Sequence, residues 1–423
     1  MRVSLPIAPA LLACFIAGAL ALLTFSACGG SGNGEQGPVI SAPTATSVPE
    51  EADSPGVSDD RVLFGQSAAF EGPAQELGLN MRLGIEAAFA EANANGGVHG
   101  RRLELVSYND SYEPEVAITN TRNLIEQDGV FALIGGVGTP TSRSAIPLAA
   151  AANVPFISPY TGAGFLRDPE WENIINLRSS YKQEAAEMVA RLIEDLEVTR
   201  IGVMYQDDSY GRSGYRGVLE ALEPHGIEPV AVGLYVRNTT AVKTALLDLM
   251  EGEPEAVIMI GAYKPCAELI IWARYLNFDP MFLNVSFVGS NALQQELGDR
   301  GTGVVVTQVV PFPWDSSLPV VGAYQKALEA HAPDAASGFI SLEGYLSGRM
   351  AIAGLEECGK DLDRACFMDS ILGSSEIDIE GFALQFGEGD NQGSDKVFLT
   401  VIGHDGAYHA VDSLKEAEAW SSN

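Results

Sequence analysis

Positive charge is scarce in this chain: 25 Lys and Arg stand against 56 Asp and Glu, leaving a formal net charge of −31 with only five His. Nucleic acid and anionic membrane surfaces are excluded as partners, because their phosphates would be repelled. Cysteine is scarce as well, with five in 423 residues and none at zinc-site spacing. His99, His225, His331, His404 and His409 are scattered without ligand spacing. No Gly-x-Ser-x-Gly, no His-Glu-x-x-His and no phosphate-binding loop occurs. No sequence signature of an enzyme, a metal site or a cofactor is therefore found, and none of these is expected. Beyond residue 25 no apolar run approaches the roughly 18 residues of a membrane span.

What is present is a globular composition, 46% hydrophobic with 45 Gly and 22 Pro, in a chain long enough for two domains with their own cores. Arg2 and an apolar run over 8–25 precede Phe25-Ser26-Ala27-Cys28-Gly29. A charged start, an apolar core and small residues before a cut describe a secretory signal. The ending resembles the bacterial lipobox, with Phe25 where Leu is usual, so 1–27 is expected to be a lipoprotein signal peptide and Cys28 the lipidated residue. Residues 28–60 are Gly, Ser, Pro and acidic residues with little to bury, and read as a disordered tether. Such a tether reaches on the order of 30 Å. Cys266, Cys358 and Cys366 remain. An oxidising compartment allows a small loop disulfide between Cys358 and Cys366, leaving Cys266 as a buried thiol.

From residue 61 short apolar runs alternate with helical patterns. Strands are expected over 62–67, 103–108, 130–134, 155–158, 201–205, 229–235, 256–260, 281–285 and 304–310. In the first helical stretch Met81, Ile85, Ala88, Phe89 and Ala92 share one face before Asn95-Gly96-Gly97 ends it. Residues 182–196 repeat the pattern through Ala185, Met188, Val189 and Leu192. This alternation argues an α/β fold of two doubly wound parallel-sheet lobes. The chain is expected to cross between lobes near 177–180 and again near 308–311, which makes a multi-crossing hinge. Helices over 320–330 and 342–358 and a late strand pair, 382–386 with 397–403, complete it. The first lobe is assigned 61–180 plus 311–386, the second 181–310 plus 387–413, and 414–423 is read as a tail.

The segment Ala68-Ala69-Phe70-Glu71-Gly72-Pro73 and the run Asn93-Ala94-Asn95-Gly96-Gly97-Val98-His99-Gly100 resemble the leucine/isoleucine/valine-binding protein family. So do Tyr108-Asn109-Asp110, Ile134-Gly135-Gly136, Asn153-Val154-Pro155-Phe156-Ile157-Ser158-Pro159, Asp207-Asp208-Ser209-Tyr210-Gly211 and Gly261-Ala262-Tyr263, in family order across 61–410. The resemblance implies a type I periplasmic binding fold. It also implies a monomer that grips a small molecule between its lobes and hands it to an ABC permease, without catalytic residues. The expected place is the outer face of the cell membrane, held by the lipid on Cys28. A sensory protein feeding a receptor or kinase is the alternative.

Within Gly135-Gly136-Val137-Gly138-Thr139-Pro140-Thr141-Ser142, glycines let backbone approach a ligand and Pro140 suits a helix start. Free N–H groups there, with the Thr139 and Thr141 hydroxyls, form a carboxylate site; a plain helix cap is the competing reading. A dinucleotide loop fails, since no third Gly follows Gly138. Thr139 falls where family members place a carboxylate-binding Ser. Tyr160, Thr161 and Gly162 fall where they offer a backbone carbonyl, an N–H and a hydroxyl, although Gly162 stands in place of their Thr. Tyr210 and Tyr263 match tyrosines that shut over the ligand. Ser286 stands where amino-acid binders carry a Glu for the ammonium, and Leu77 replaces an aromatic. A hydroxyl cannot supply that charge pairing, so a carboxylate- or amide-bearing solute is expected, with Glu71, Glu76 or Glu343 as other sources of charge.

Overall fold

The computed structural model describes residues 54–421. The signal peptide, Cys28 and the tether up to residue 53 lie outside the described residues. The first sheet comprises β1 (Arg61–Ala68), β2 (Arg102–Asn109), β3 (Ala132–Ile134), β4 (Phe156–Ile157) and β5 (Ile174–Ile175), ordered β2-β1-β3-β4-β5 and parallel throughout. Helices α1 (Gln75–Ala94), α2 (Pro114–Glu126) and α3 (Thr139–Ala151) connect it. Strands covered on both faces need near-continuous apolar runs, and Ala132–Ile134 is buried at every position.

Helix α4 (Tyr181–Leu196) carries the chain into the second lobe. Its start is fixed by a capping box: the Ser180 hydroxyl accepts from the Gln183 N–H at 3.3 Å, and the Ser180 N–H donates to Gln183 Oε1 at 2.7 Å. There follow β6 (Ile201–Gln206), α5 (Ser209–Leu222), β7 (Ala231–Tyr235), α6 (Lys243–Gly252), β8 (Ala256–Ile260), α7 (Tyr263–Tyr275), β9 (Met281–Asn284), α8 (Ser290–Leu297) and β10 (Val305–Gln308). The chain then returns to the first lobe as α9 (Pro319–His331) and α10 (Phe339–Cys358), both packed on α1, and as α11 (Arg364–Leu372). The Cys358 and Cys366 sulfurs are bonded across the α10–α11 turn, and Cys266 is a buried free thiol.

The late strands differ from expectation. β12 (Phe382–Leu384) pairs with β11 (Ile377–Ile379), not with the run that follows it. Their turn holds Glu380 and Gly381 both at positive φ, 49° and 88°, the tight geometry of a two-residue hairpin. β13 (Phe398–Ile402) instead crosses over to pair antiparallel with β10 and with β14 (Tyr408–Val411), giving the second sheet the order β14-β13-β10-β9-β8-β6-β7. The chain thus passes between the sheets three times. Two expected termini of order also shift. Residues 54–60 belong to the fold, with Val57 buried and bridged to Val62. The expected tail forms α12 (Leu414–Ser421), whose first N–H donates to Asp195 of α4 at 2.8 Å and whose Trp420 stacks on His409.

Helices α1 and α10 touch backbone to backbone. A Cβ on Gly84 would lie 2.0 Å from the Ser341 carbonyl oxygen, and one on Gly344 would lie 2.3 Å from that of Met81. Gly84→Ala is expected to destabilise by about 1–3 kcal/mol through overpacking. Gly164→Ala, where a Cβ meets nothing within 4 Å, should stay within about 0.5 kcal/mol of the parent. Equal denaturation midpoints for the two variants would refute this account of the helix contact. Removing the Cys358–Cys366 bond by a double Ser substitution is expected to cost about 2.5 kcal/mol, the unfolded-chain entropy released by a loop this short, measurable by the same titration.

Candidate ligand cleft

The loop after β3 reaches α3 through Gly138, held at φ 100°. The Tyr112 ring occupies the space beside it, with Cε2 only 2.1 Å from where a Cβ would stand. This places Thr139 at the helix start with its hydroxyl 2.6 Å from that of Thr161. Thr141 is turned away: its hydroxyl donates to the backbone carbonyls of Val137 and Gly138, the latter at 3.0 Å. Its expected part in a carboxylate site is therefore corrected; it caps its own loop.

Much of the backbone of Tyr160–Thr161–Gly162 is also hydrogen-bonded within the protein. Tyr160 donates its N–H to Gly136 and accepts from the Gly138 N–H, Thr161 donates to Pro159, and the Gly162 carbonyl accepts from Tyr181 at 2.8 Å. Of the backbone groups expected to meet a ligand, the Tyr160 carbonyl and the Thr161 N–H are engaged within the first lobe in this conformation. Gly162 has its own reason to lack a side chain, since a Cβ would come within 2.6 Å of the Tyr181 nitrogen. What Tyr160 contributes is its ring, and a hydroxyl that donates to the Ser286 carbonyl of the second lobe at 3.1 Å.

From the second lobe, Asp208 caps α5 by accepting from the N–H groups of Tyr210 and Gly211 at 2.9 and 3.3 Å. This fixes Tyr210, whose hydroxyl donates to the Gly261 carbonyl at 3.2 Å. Tyr263 begins α7 at the other rim, where it and Leu77 of the first lobe both approach Gly289. Between these walls stands Phe287, fully buried, with ring centroids 4.5 Å from Tyr210, 5.3 Å from Tyr160 and 6.1 Å from Tyr112. Phe287, Tyr112 and Tyr181 were not singled out from the sequence. An aromatic residue after a buried strand reads there as ordinary core. At the near rim Arg237 pairs with Glu113 at 2.8 Å, and Asn238 donates to Glu113 and to the Ser111 carbonyl. The two lobes are therefore shut against each other.

Under the aromatic wall lies a buried ion cluster. Arg178, in the first crossing, pairs with Glu184 at 3.0 Å and with Glu343 at 3.5 Å, and donates to the Ser286 hydroxyl. Glu184 also accepts from the Ser286 N–H at 2.7 Å and from Thr307 at 2.6 Å. Burial pushes the Glu343 carboxyl up to about 7, against the pull of Arg178. Arg167, which donates to the Arg178 carbonyl at 2.7 Å, is lowered to about 9 by burial and by the neighbouring guanidinium. Of the acids considered as sources of charge, Glu343 reaches the cleft; Glu71 is exposed, and Glu76 stays with Gln75 and Asn80. Among the described residues no cluster of His, Cys, Asp and Glu has metal-site geometry.

Two parallel-sheet lobes facing across such a cleft are the frame of a binding protein, and the sequence pattern of the periplasmic binding proteins matches residues 62–407. The chain belongs to this family. It is 24% identical over 364 residues to Leu/Ile/Val-binding protein homolog 7 of Brucella abortus, covering 83% of this chain and 88% of that one. To the Leu/Ile/Val-binding protein of Escherichia coli it is 22% identical over 318 residues, covering 74% and 85%. Among solved structures, a possible leucine/isoleucine/valine-binding protein from Rhodopirellula baltica matches with a TM-score of 0.80 at 39% identity, covering 88% of this chain and 100% of that one. The resemblance and the two-lobed α/β fold read from the sequence both hold. The protein is a solute-binding protein; its homologues are periplasmic or extracytoplasmic binding proteins, and members of its family bind solutes without transforming them. No helix among the described residues is long and apolar enough to cross a membrane.

The buried carboxyl gives the fold a pH signature. Glu343 titrates near 7 when folded and near the ordinary 4.5 when unfolded, so over that interval the folded chain holds more protons. Stability must fall as pH rises through it, by up to about 3 kcal/mol for this one group. Asp110, raised by burial to about 6, adds a slope of the same sign at lower pH. Melting curves are expected to show a decline between about pH 5 and 7 that Glu343→Gln flattens; identical slopes in parent and variant would assign the decline elsewhere.

Proposed function

We propose that the protein captures a small carboxylate- or amide-bearing solute, amino-acid-like in size, between its lobes and delivers it to an ABC importer. It acts as a monomer held at the outer face of the membrane by lipid on Cys28. One observation carries the ligand reading: Thr139 and Thr161 meet at the start of α3, next to Tyr160, whose hydroxyl and ring meet Ser286 and Phe287 of the second lobe. Helix-start amides and hydroxyls suit an anionic or amide head, and aromatic walls suit a small body. The names of the relatives from Brucella abortus and Escherichia coli point toward amino acids. Ser286 in place of an acid argues against transferring branched-chain specificity unchanged.

Closure follows from differential binding, since a guest touching both walls favours the shut state by what the second wall adds. A thermal-shift screen over amino acids, amides, short-chain carboxylates and aromatic acids tests the reading. A ligand at a hundred times its Kd should add about 2.7 kcal/mol of stability. Thr139→Ala and Tyr210→Ala are each expected to weaken binding of that ligand roughly 10- to 100-fold, the loss of one to two buried contacts. Calorimetric affinities unchanged in both variants would move the site away from these residues.

A further inference from the structure

The cleft contains a buried cation with donors to spare. Arg178 is 1% exposed, and its Nη2 is spent on Glu184 and Ser286. Its Nε and Nη1 have no hydrogen-bond partner. Glu343 stands 3.5 Å from Nη1, an ion-pair distance without hydrogen-bond geometry. The guanidinium carbon lies 5.1 Å from the Tyr160 ring centroid, and that same ring stacks on Phe287 of the second lobe. Buried donors left unmade cost as much as a lost hydrogen bond, and native folds rarely keep them without a purpose.

The neighbouring acids offer little to an ammonium group. Glu184 already takes four hydrogen bonds. Oε1 accepts from Arg178 and from the Ser286 hydroxyl, both at 3.0 Å, and Oε2 accepts from the Ser286 N–H and Thr307. That is the full acceptor capacity of a carboxylate. Ser286 spends both its N–H and its hydroxyl on the same acid. Glu343 carries only part of a charge near neutrality, because burial holds its carboxyl up to about 7. The walls around Phe287 are aromatic and suit an apolar body.

We infer that Arg178 is the receptor for the ligand's carboxylate, and that the ligand is an apolar-tailed carboxylic acid with no ammonium group. This rests on the solute-binding reading above, narrows its ligand class, and moves the carboxylate from the start of α3 to Arg178. The incoming carboxylate takes the free donors of Arg178, and Glu343, facing Glu184 and left with Arg167 as its other neighbouring cation, takes a proton from solvent. Binding near pH 7 therefore consumes part of one proton.

Matched probes test this by titration calorimetry on the mature protein: 4-methylpentanoate against leucine, and 3-phenylpropanoate against phenylalanine, each pair differing only in the ammonium. At least one acid is expected to bind at least tenfold tighter than its amino acid. Its enthalpy at pH 7 should depend on the ionisation enthalpy of the buffer, and Glu343→Gln should remove that dependence. R178Q is expected to weaken the acid at least 100-fold. If R178Q does not fold, the ratio within each pair and the proton uptake of the parent protein decide. Tighter binding of either amino acid overturns the inference and leaves the solute-binding reading standing. So does silence from all four probes while the wider screen yields an ammonium-bearing ligand. If nothing binds in either experiment, both fall.

Discussion

The closed arrangement depends on one buried guanidinium. Arg178 sits in the chain's first passage between sheets, with Glu343 of α10 on one side and Glu184 of α4 on the other. Breaking a buried pair by removing one partner costs about 3–5 kcal/mol, because the remaining charge is stranded. Both lobes thus contribute a partner to the same buried charge. Glu184 extends the linkage to Ser286 and Thr307, so the floor of the second lobe is fixed to the same cation.

Above this floor the site is built from helix starts. Thr139 opens α3, Tyr181 opens α4, Tyr210 lies in the first turn of α5 and Tyr263 opens α7. Each follows a strand of a parallel sheet, so the strand ends deliver these side chains to the crevice between the lobes. The start of α4 and the Gly162 turn are adjusted to each other, since a Cβ on Gly162 would meet the Tyr181 nitrogen and ring.

Much of this was legible in the sequence because it follows from local chemistry. The alternation of apolar runs and helical faces gave the lobes, and Met81, Ile85, Ala88 and Phe89 are buried as their spacing requires. The glycine loop before Thr139 and the Asp208 cap before Tyr210 are short-range signals. The rest depends on contacts distant in sequence. β13 was paired with its neighbour, although its partners, β10 and β14, make it an antiparallel addition to another sheet. The Glu380-Gly381 turn lacks the Asn or Asp that marks a hairpin. Trp420 and Leu414 looked like a polar tail because their partners, His409 and Asp195, are remote from the pattern they sit in. One signal was available and unused: Glu184 lies four residues before Met188 on the apolar face of α4, and an acid in that position needs a buried partner.

The three passages between the sheets have a mechanical consequence. A single strap would let one jaw rotate freely about it, and each return would bring different atoms together. Three straps, after β5, β10 and β12, resist twisting and leave bending as the soft motion. The Tyr160 hydroxyl and the Ser286 carbonyl, carried on opposite jaws, then meet again in the same alignment at every stroke.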